Sequence, residues 1–134
     1  MTPFSLKIVT PDGLKFDGPV EELVVRTTSG DLGLMAGHMN CVAPLGMGHA
    51  LIVANGRRRY AACIGGMVSM VNGAATLVPT TFEWAEDIDV DRALVSEKKA
   101  QAILGNKAST NTDIRMAEAR LKRALIRKSV ASYK

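Results

Sequence analysis

The residues that interrupt regular secondary structure are confined to the part of the chain before Trp84. All five prolines and eleven of the twelve glycines of this 134-residue sequence precede that tryptophan, and only Gly105 follows it. Such a change in composition predicts a strand-rich segment rich in turns, followed by a helical one. The length allows one compact core with a helical appendage. We therefore expect an N-terminal domain over residues 1–84 and a C-terminal domain over residues 85–134.

Short alternating or β-branched segments, each bounded by turn residues, fill the first domain. The clearest turns are Asn55-Gly56 and Asn72-Gly73, because a two-residue hairpin needs positive φ at both central positions. Another turn is expected at the glycine pair Gly65-Gly66. Strands this closely spaced, without helices between them, predict an all-β fold of antiparallel strands, a sandwich or a barrel. The segments are FSLKIV, VEELVVRTT, HALIV, RRYAACI, MVSMV and ATLVPTTF.

The second domain has the pattern of an antiparallel pair of helices. Asp87 or Asp89 is a candidate N-cap for a first helix that continues to Leu104. The polar stretch GNKASTNT then forms a turn, and Asp113 begins a second helix. Alanine is frequent in both helices, so their backbones can approach closely. The second helix should place Ile114, Ala117, Leu121, Ala124 and Leu125 on one face, and Arg120, Arg123 and Arg127 on another.

Five carboxylates and one arginine crowd the junction FEWAEDIDVDRA at residues 82–93. Antiparallel helices would bring Arg92 next to Arg123 and Arg127, within reach of Asp89 and Glu83. Two interpretations follow. The charges can simply complement the helix dipoles, each contributing about 0.3–1 kcal/mol. Alternatively, the converging guanidinium groups form a site for a polyphosphate, whose oxygens they can bind in pairs.

Other functional classes have little support in the sequence. Cys41 and Cys63 are not spaced as metal ligands, so no metal site is expected. No phosphate-binding glycine loop and no catalytic group of residues is present, and His38 and His49 stand alone in loops. No apolar run approaches the roughly 20 residues that a membrane helix requires, and no export signal is evident, so we expect a soluble, intracellular chain.

Nucleic-acid binding is a further alternative, because the pI is 9.3 and seven bases but only two acids lie from Asp113 onward. Aromatic residues make up only 4 % of the chain, and the arginines share their helix with an apolar face. A binder of single strands would be expected to present aromatic side chains for base stacking. The predicted partners therefore do not include nucleic acid.

Several stretches, in their order and spacing, resemble the epsilon subunit of bacterial F-type ATP synthase over nearly the whole chain. They are VTPDG (9–13), SGDLGLMAGH (29–38), GG (65–66), EDIDVDRA (86–93) and RLKRALIRKSV (120–130). The resemblance implies a sandwich of about ten strands followed by a two-helix domain. It also implies a non-catalytic subunit of the rotating central stalk, which couples the gamma subunit to the c ring and restrains ATP hydrolysis. The location implied is the cytoplasmic face of the bacterial membrane, as a peripheral part of the proton-translocating complex.

Some members of this family bind ATP as a regulatory ligand through a motif I-D-x-x-R-A and two arginines of the last helix. No obligatory cofactor is implied. The corresponding residues here are Glu83, Ile88, Asp89, Arg92, Ala93, Arg123 and Arg127. The helices would move between a compact form, favoured by ATP, and an extended form that reaches the catalytic head of alpha and beta subunits. An alternative is the same subunit without a nucleotide site.

The loop over residues 30–38 resembles the segment that touches the c ring, with Asp31 and His38 as its polar contact residues. Two residues depart from the family pattern. Ala36 stands where proline is usual, which should loosen the loop. Asp91 adds a negative charge inside the ATP motif, which would weaken phosphate binding if its side chain pointed inward.

Overall fold

The computed structural model describes residues 2–133, which form eight β-strands, one turn of 3-10 helix and two α-helices. The strands are β1 (Phe4–Thr10), β2 (Gly13–Val20), β3 (Glu22–Thr27), β4 (Gly30–Leu34), β5 (Cys41–Pro44), β6 (Met47–Ala54), β7 (Arg57–Val71) and β8 (Ala74–Trp84). The 3-10 turn is Ala85–Asp87, and the α-helices are α1 (Val90–Leu104) and α2 (Asn111–Ala131). The expected β-sandwich and helical hairpin are both confirmed.

The strands are hydrogen-bonded in the order β2-β1-β8-β7-β6-β3-β4, with β5 paired to β7 outside this path. Alternate side chains of the strands point inward because successive residues of a strand face opposite sides. In β1, for example, Phe4, Leu6 and Ile8 are buried while Ser5 and Lys7 are exposed. The inward-facing residues of the strands together form one apolar core.

The strand count differs from the expected ten because β7 continues through Gly65 and Gly66, where a turn was expected, and β8 continues opposite it. Gly65 and Gly66 both have positive φ, 69° and 97°, and the β7–β8 pairing skips one residue on each strand there. The glycines thus form an irregularity at which the strand can bend, rather than a chain reversal. The first half of β7 pairs with β6 and the second half with β5. Dividing β7 and β8 at this point would give ten strands.

The sheet is also not wholly antiparallel, because β1 and β8 run parallel, with Ser5 opposite Ala74 and Ile8 opposite Leu77. Parallel neighbours need a long connection. Here the connection is the rest of the sandwich, since six strands lie between these two in the chain.

Both asparagine-glycine turns are confirmed. Asn55 and Gly56 have φ of 53° and 73° between β6 and β7, and Asn72 and Gly73 have φ of 48° and 82° between β7 and β8. The two turns fix the registers of the hairpins that build the centre of the sheet.

Helix α1 begins as predicted, but α2 begins at Asn111, two residues before the predicted start at Asp113. Thr110 is its N-cap: the threonine hydroxyl accepts a hydrogen bond from the Asp113 amide, and the Asp113 carboxylate accepts one from the Thr110 amide. This reciprocal capping satisfies two of the amides that a helix start leaves without partners. Of the predicted apolar face, Leu125 is instead 44 % exposed.

Helix α2 carries the main contacts of the hairpin with the sandwich, against β6 and β7. Its last turn buries Val130 and Ala131 in a small apolar cluster with Ala62, Ala85 and Ile88. Just beyond the helix, the ring of Tyr133 stacks on the ring of Tyr60 of β7, with centroids 4.2 Å apart and planes inclined by 17°. Neither helix in the described part of the chain is long and apolar enough to cross a lipid bilayer.

Candidate functional site

The site lies where the sandwich passes into α1. Strand β8 ends at Trp84, one 3-10 turn follows, and Asp89 caps α1, because its Oδ1 accepts a hydrogen bond of 3.0 Å from the amide of Arg92. The cap sets the direction of the first helical turn, and the Arg92 side chain projects from that turn. The capping interpretation of the junction acids thus holds for Asp89.

The packing of α1 against α2 brings the arginines of the second helix to this junction. The helices pack against each other, and their buried residues before the last turn of α2 are alanines: Ala93 and Ala100 on α1, Ala117 and Ala124 on α2. An ion pair of 3.5 Å between the Lys128 Nζ and the Glu97 carboxylate crosses the hairpin. The start of α1 therefore faces the C-terminal half of α2, as the antiparallel arrangement predicted.

Side chains from β8, the junction and both helices surround a pocket of about 410 Å³. This volume lies within the roughly 300–1,000 Å³ typical of small-molecule sites. The lining residues are Glu83, Asp87, Asp89, Arg92, Ala93, Ser96, Arg120, Arg123 and Arg127. We call this the arginine pocket.

Six of the seven residues proposed for ATP binding line the arginine pocket, and the three predicted arginines share it. Ile88 does not line it: its side chain is 3 % exposed and belongs to the apolar cluster beneath the end of α2. Asp91, which adds a negative charge to the motif, is exposed and does not line the arginine pocket.

Positive charge in the arginine pocket is only partly neutralised. The Nε of Arg127 donates a hydrogen bond of 2.5 Å to Oε1 of Glu83, a pair in which both side chains are partly buried. Within residues 2–133, Arg92, Arg120 and Arg123 have no carboxylate within 4.0 Å of their guanidinium nitrogens. Three guanidinium groups therefore remain available to bind phosphate oxygens.

Three lining residues were not among the predicted site residues. Arg120 lies one helical turn before Arg123, so its position on the arginine face of α2 was a usable signal. Ser96 lies four residues after Arg92 on α1, which places the two side chains on one face. Asp87 had been considered only as a helix cap.

A further ion pair connects the junction to the sandwich. Nη2 of Arg59 lies 2.6 Å from Oε1 of Glu86, and its guanidinium carbon lies 3.6 Å from the centroid of the Trp84 ring. The hydrogen bond from Arg59, with one from the backbone, lowers the pKa of Glu86 from its ordinary value. Arg59 thus contacts the last residue of β8 and the turn before α1.

The two residues proposed for the c-ring contact lie away from the junction. Asp31 is on β4, where its carboxylate pairs with Nη1 of Arg26 at 3.3 Å and is 61 % exposed. His38 lies in the loop after β4, with Nδ1 2.7 Å from the Met39 carbonyl oxygen and 3.9 Å from the Cys41 sulphur. Ala36, in the same loop, packs against the core.

No group of three or more histidine, cysteine, aspartate or glutamate side chains that could hold a metal ion occurs among residues 2–133. Cys63 is buried, and burial raises its pKa to about 12.

Comparison with known proteins covers both parts of the chain. The family model of the ATP synthase delta/epsilon chain β-sandwich domain matches residues 3–85, and that of the delta/epsilon long α-helix domain matches residues 86–132. The ATP synthase epsilon chain of Bacillus velezensis is 42 % identical over 131 residues, covering 98 % of each chain. That of Ruminococcus albus is 38 % identical over 136 residues, covering both chains completely.

Solved structures share the fold. A chain from the OSCP/F1/c-ring structure of Euglena gracilis mitochondrial ATP synthase superposes with a TM-score of 0.84 at 19 % identity, over all of this chain and 83 % of the other. A chain from the central stalk/c-ring structure of the Tetrahymena thermophila enzyme gives 0.65 at 13 % identity, over 95 % of each. The sandwich, the hairpin and the full-length similarity to bacterial relatives agree, and the chain belongs to the ATP synthase delta/epsilon chain family.

Proposed function

We propose that this chain is the epsilon subunit of a bacterial F-type ATP synthase, a non-catalytic part of the rotating stalk that couples the gamma subunit to the c ring. Sequence similarity to bacterial epsilon chains over the full length supports this assignment most directly. The sandwich would bind gamma and present Asp31 and His38 toward the c ring. The complex would hold the chain at the cytoplasmic face of the membrane.

The arginine pocket is the proposed binding site for ATP, which acts as a regulatory ligand and not as a substrate. The guanidinium groups of Arg92, Arg120 and Arg123, which form no ion pair within residues 2–133, would bind the phosphates. Glu83, together with Asp87 or Asp89, can accept hydrogen bonds from the ribose or the base. The single observation that carries this proposal is the convergence of arginines from α1 and α2 in one pocket.

Binding there would favour the compact arrangement of the helices. The pocket is built from β8, the junction, α1 and α2, so it exists only while these elements lie together. A ligand stabilises the state that it binds by RT ln(1 + [L]/Kd), which is about 2.7 kcal/mol at a hundredfold excess over Kd. When ATP falls, the helices would separate from the sandwich and extend toward the alpha and beta subunits, blocking hydrolysis.

Isothermal titration of the full chain with ATP tests the pocket. We expect saturable heat from the wild type and none from the double variant Arg92→Ala/Arg123→Ala. The matched control is Lys98→Ala/Lys99→Ala, which removes the same charge from exposed positions of α1 outside the pocket. The nucleotide proposal would be wrong if the arginine variant and the wild type gave the same heat.

A second candidate is the same stalk subunit without a nucleotide site. The observation in its favour is that the Asp89 carboxylate already caps α1 and Glu83 already pairs with Arg127. The stalk assignment itself is tested by co-expression with gamma. The two chains should elute together after nuclease treatment, and separate elution of a folded chain would contradict the assignment.

A further inference from the structure

A second polar groove lies between α2 and the sandwich. Its volume is about 640 Å³, and its walls come from β3, the following turn, the start of β6 and the first half of α2. The lining residues are Arg26, Thr27, Thr28, Gly46, Met47, Arg115, Glu118, Ala119 and Lys122. We call this the α2 groove.

The α2 groove and the arginine pocket are separate sites on different faces of one helix. Arg115, Glu118 and Lys122 recur at intervals of three and four residues and so share one face. Arg120, Arg123 and Arg127 recur at the same intervals five residues later, which is about 140° around the helix, and no residue lines both sites. A ligand in one site therefore need not displace a ligand in the other.

Positive charge exceeds negative charge in the α2 groove. Arg26 comes from the sandwich, Arg115 and Lys122 come from α2, and Glu118 supplies the one carboxylate among the lining residues. Glu118 lies about one helical turn from both Arg115 and Lys122. Within residues 2–133, however, neither Arg115 nor Lys122 has a carboxylate within 4.0 Å of its side-chain nitrogens. Among the described residues, Arg26 is paired only with Asp31 of β4, and both side chains are more than half exposed. Exposed pairs of this kind are weak, typically about 0–1 kcal/mol, so an anion can compete for Arg26.

The floor of the α2 groove is fixed by the backbone. The Gly46 amide donates to the Arg26 carbonyl at 2.9 Å, and the Thr28 amide donates to the Pro44 carbonyl at 3.1 Å. Gly48 leaves space for the Arg26 side chain, because a Cβ at that position would lie 2.5 Å from the Cβ of Arg26. The cationic side chains thus stand over a small, rigid floor.

We propose that the α2 groove binds a small oxyanion of several charges, of the inorganic polyphosphate class, which bridges Arg26 of the sandwich to Arg115 and Lys122 of α2. Such an anion neutralises Arg115 and Lys122, which have no ion pair within residues 2–133, and competes with Asp31 for Arg26. Binding fastens α2 to the sandwich at β3 and the start of β6, whereas ATP in the arginine pocket fastens α2 to α1 and to the end of β8. An effect of the anion on regulation depends on the movement of the helices proposed above, whereas binding of the anion in the α2 groove does not.

The test is a titration of the full-length chain with inorganic tripolyphosphate, followed through the backbone amide NMR signals of Thr28 and Gly46. All samples carry Arg92→Ala/Arg123→Ala, so that binding in the arginine pocket does not contribute. We expect saturable shifts at both amides, with affinity about tenfold weaker after Arg115→Ala/Lys122→Ala, as for the loss of two partly exposed charge-assisted contacts.

Two further variants keep the test decisive. Lys98→Ala/Lys99→Ala removes equal charge elsewhere and should change the affinity by less than about twofold, because distant exposed charges are screened. Arg115→Lys/Lys122→Arg keeps the charges and should restore binding if the alanine variant loses its fold. The proposal is overturned if Thr28 and Gly46 do not shift, or if the two alanine pairs weaken binding equally. Equal heats of ATP binding for the wild type and Arg92→Ala/Arg123→Ala would refute nucleotide binding in the arginine pocket. They would not affect the result for the α2 groove.

Discussion

The sandwich and the helical hairpin are packed with side chains of very different size. The largest fully buried side chains of the sandwich belong to Leu6, Ile8, Leu23, Leu34, Ile52, Met70 and Leu77. Along α1 and along α2 before its last turn, the buried side chains are those of four alanines, Ala93, Ala100, Ala117 and Ala124. Larger buried side chains of the hairpin region, Ile88 and Val130, lie where it meets the sandwich.

This difference indicates which part of the molecule can move. Burial contributes about 0.8 kcal/mol per CH₂ group, so alanine contacts supply little compared with leucine or isoleucine. The hairpin depends on a small apolar cluster, one stacked tyrosine pair and a few ion pairs. Elements with few buried apolar contacts open at lower free energy than the core of a domain. A rigid platform with a loosely held hairpin suits the proposed regulatory movement.

The largest effect should come from shortening a side chain in the sandwich core. Leu77→Ala should lower the free energy of unfolding by about 2–5 kcal/mol, because it leaves a cavity beside fully buried neighbours. Urea unfolding followed through the fluorescence of Trp84, the single tryptophan, measures it. Val130→Ala is the matched change beneath the hairpin. It should lower the free energy of unfolding by about 1.6 kcal/mol, because it removes the equivalent of two buried CH₂ groups.

Hydrogen exchange in the Val130→Ala variant tests directly whether the hairpin opens independently of the sandwich. In Val130→Ala, amide hydrogen exchange should accelerate in α2 and stay slow in β7 and β8. Equal acceleration in the sandwich would mean that the two regions unfold together and that the hairpin has no independent opening.

A medium effect is expected at the stacked tyrosines. Tyr133→Ala should destabilise the attachment of α2 by about 0.5–1.5 kcal/mol, since offset or stacked aromatic pairs contribute that much beyond their burial. Hydrogen exchange of the last turn of α2 measures the loss. Tyr133→Phe retains the ring and is the control. If Tyr60→Ala and Tyr133→Ala had fully additive effects, the rings would not be coupled.

Features set by local sequence could be predicted, whereas those set by distant partners could not. The turns at Asn55 and Asn72 followed from positive φ, a property of two adjacent residues. The glycine pair at Gly65 and Gly66 looked like a turn, but pairing with β8 carries the strand through it. The capping of α2 by Thr110 was a local signal that could have been found, with Asp113 in the place of the usual glutamate.

The candidate site likewise has features that local sequence predicts and features that depend on tertiary packing. Arg92, Arg123 and Arg127 could be brought together from helical spacing and the antiparallel arrangement alone. The burial of Ile88 could not, because its place beneath Val130 depends on how the hairpin lies on the sandwich. The α2 groove escaped prediction for the same reason, since Arg26 and Arg115 meet only through tertiary packing.

The smallest effect concerns the ion pair that ties the junction to the sandwich. The hydrogen bond from Arg59 lowers the pKa of Glu86 from its ordinary value of 4.5, so the carboxylate stabilises the fold above that pH and loses this contribution as pH falls through the lowered pKa. The free energy of unfolding of Glu86→Gln should therefore fall below that of the wild type by at most about 1 kcal/mol at pH 7, as for other exposed pairs.

The gap between Glu86→Gln and the wild type should close in acid, where the wild-type carboxyl is protonated as well. Asp17→Asn, which neutralises an exposed carboxylate of β2 outside every ion pair within residues 2–133, should show no such gap. Urea titrations of the three proteins at pH 7 and at a series of pH values falling well below 4.5 measure the difference. A gap that stayed constant as the pH fell would mean that the ion pair with Arg59 does not account for the effect of Glu86 on stability. The hairpin's attachment would then be insensitive to acid, and the apolar cluster around Val130 would remain the contact that sets how easily it opens.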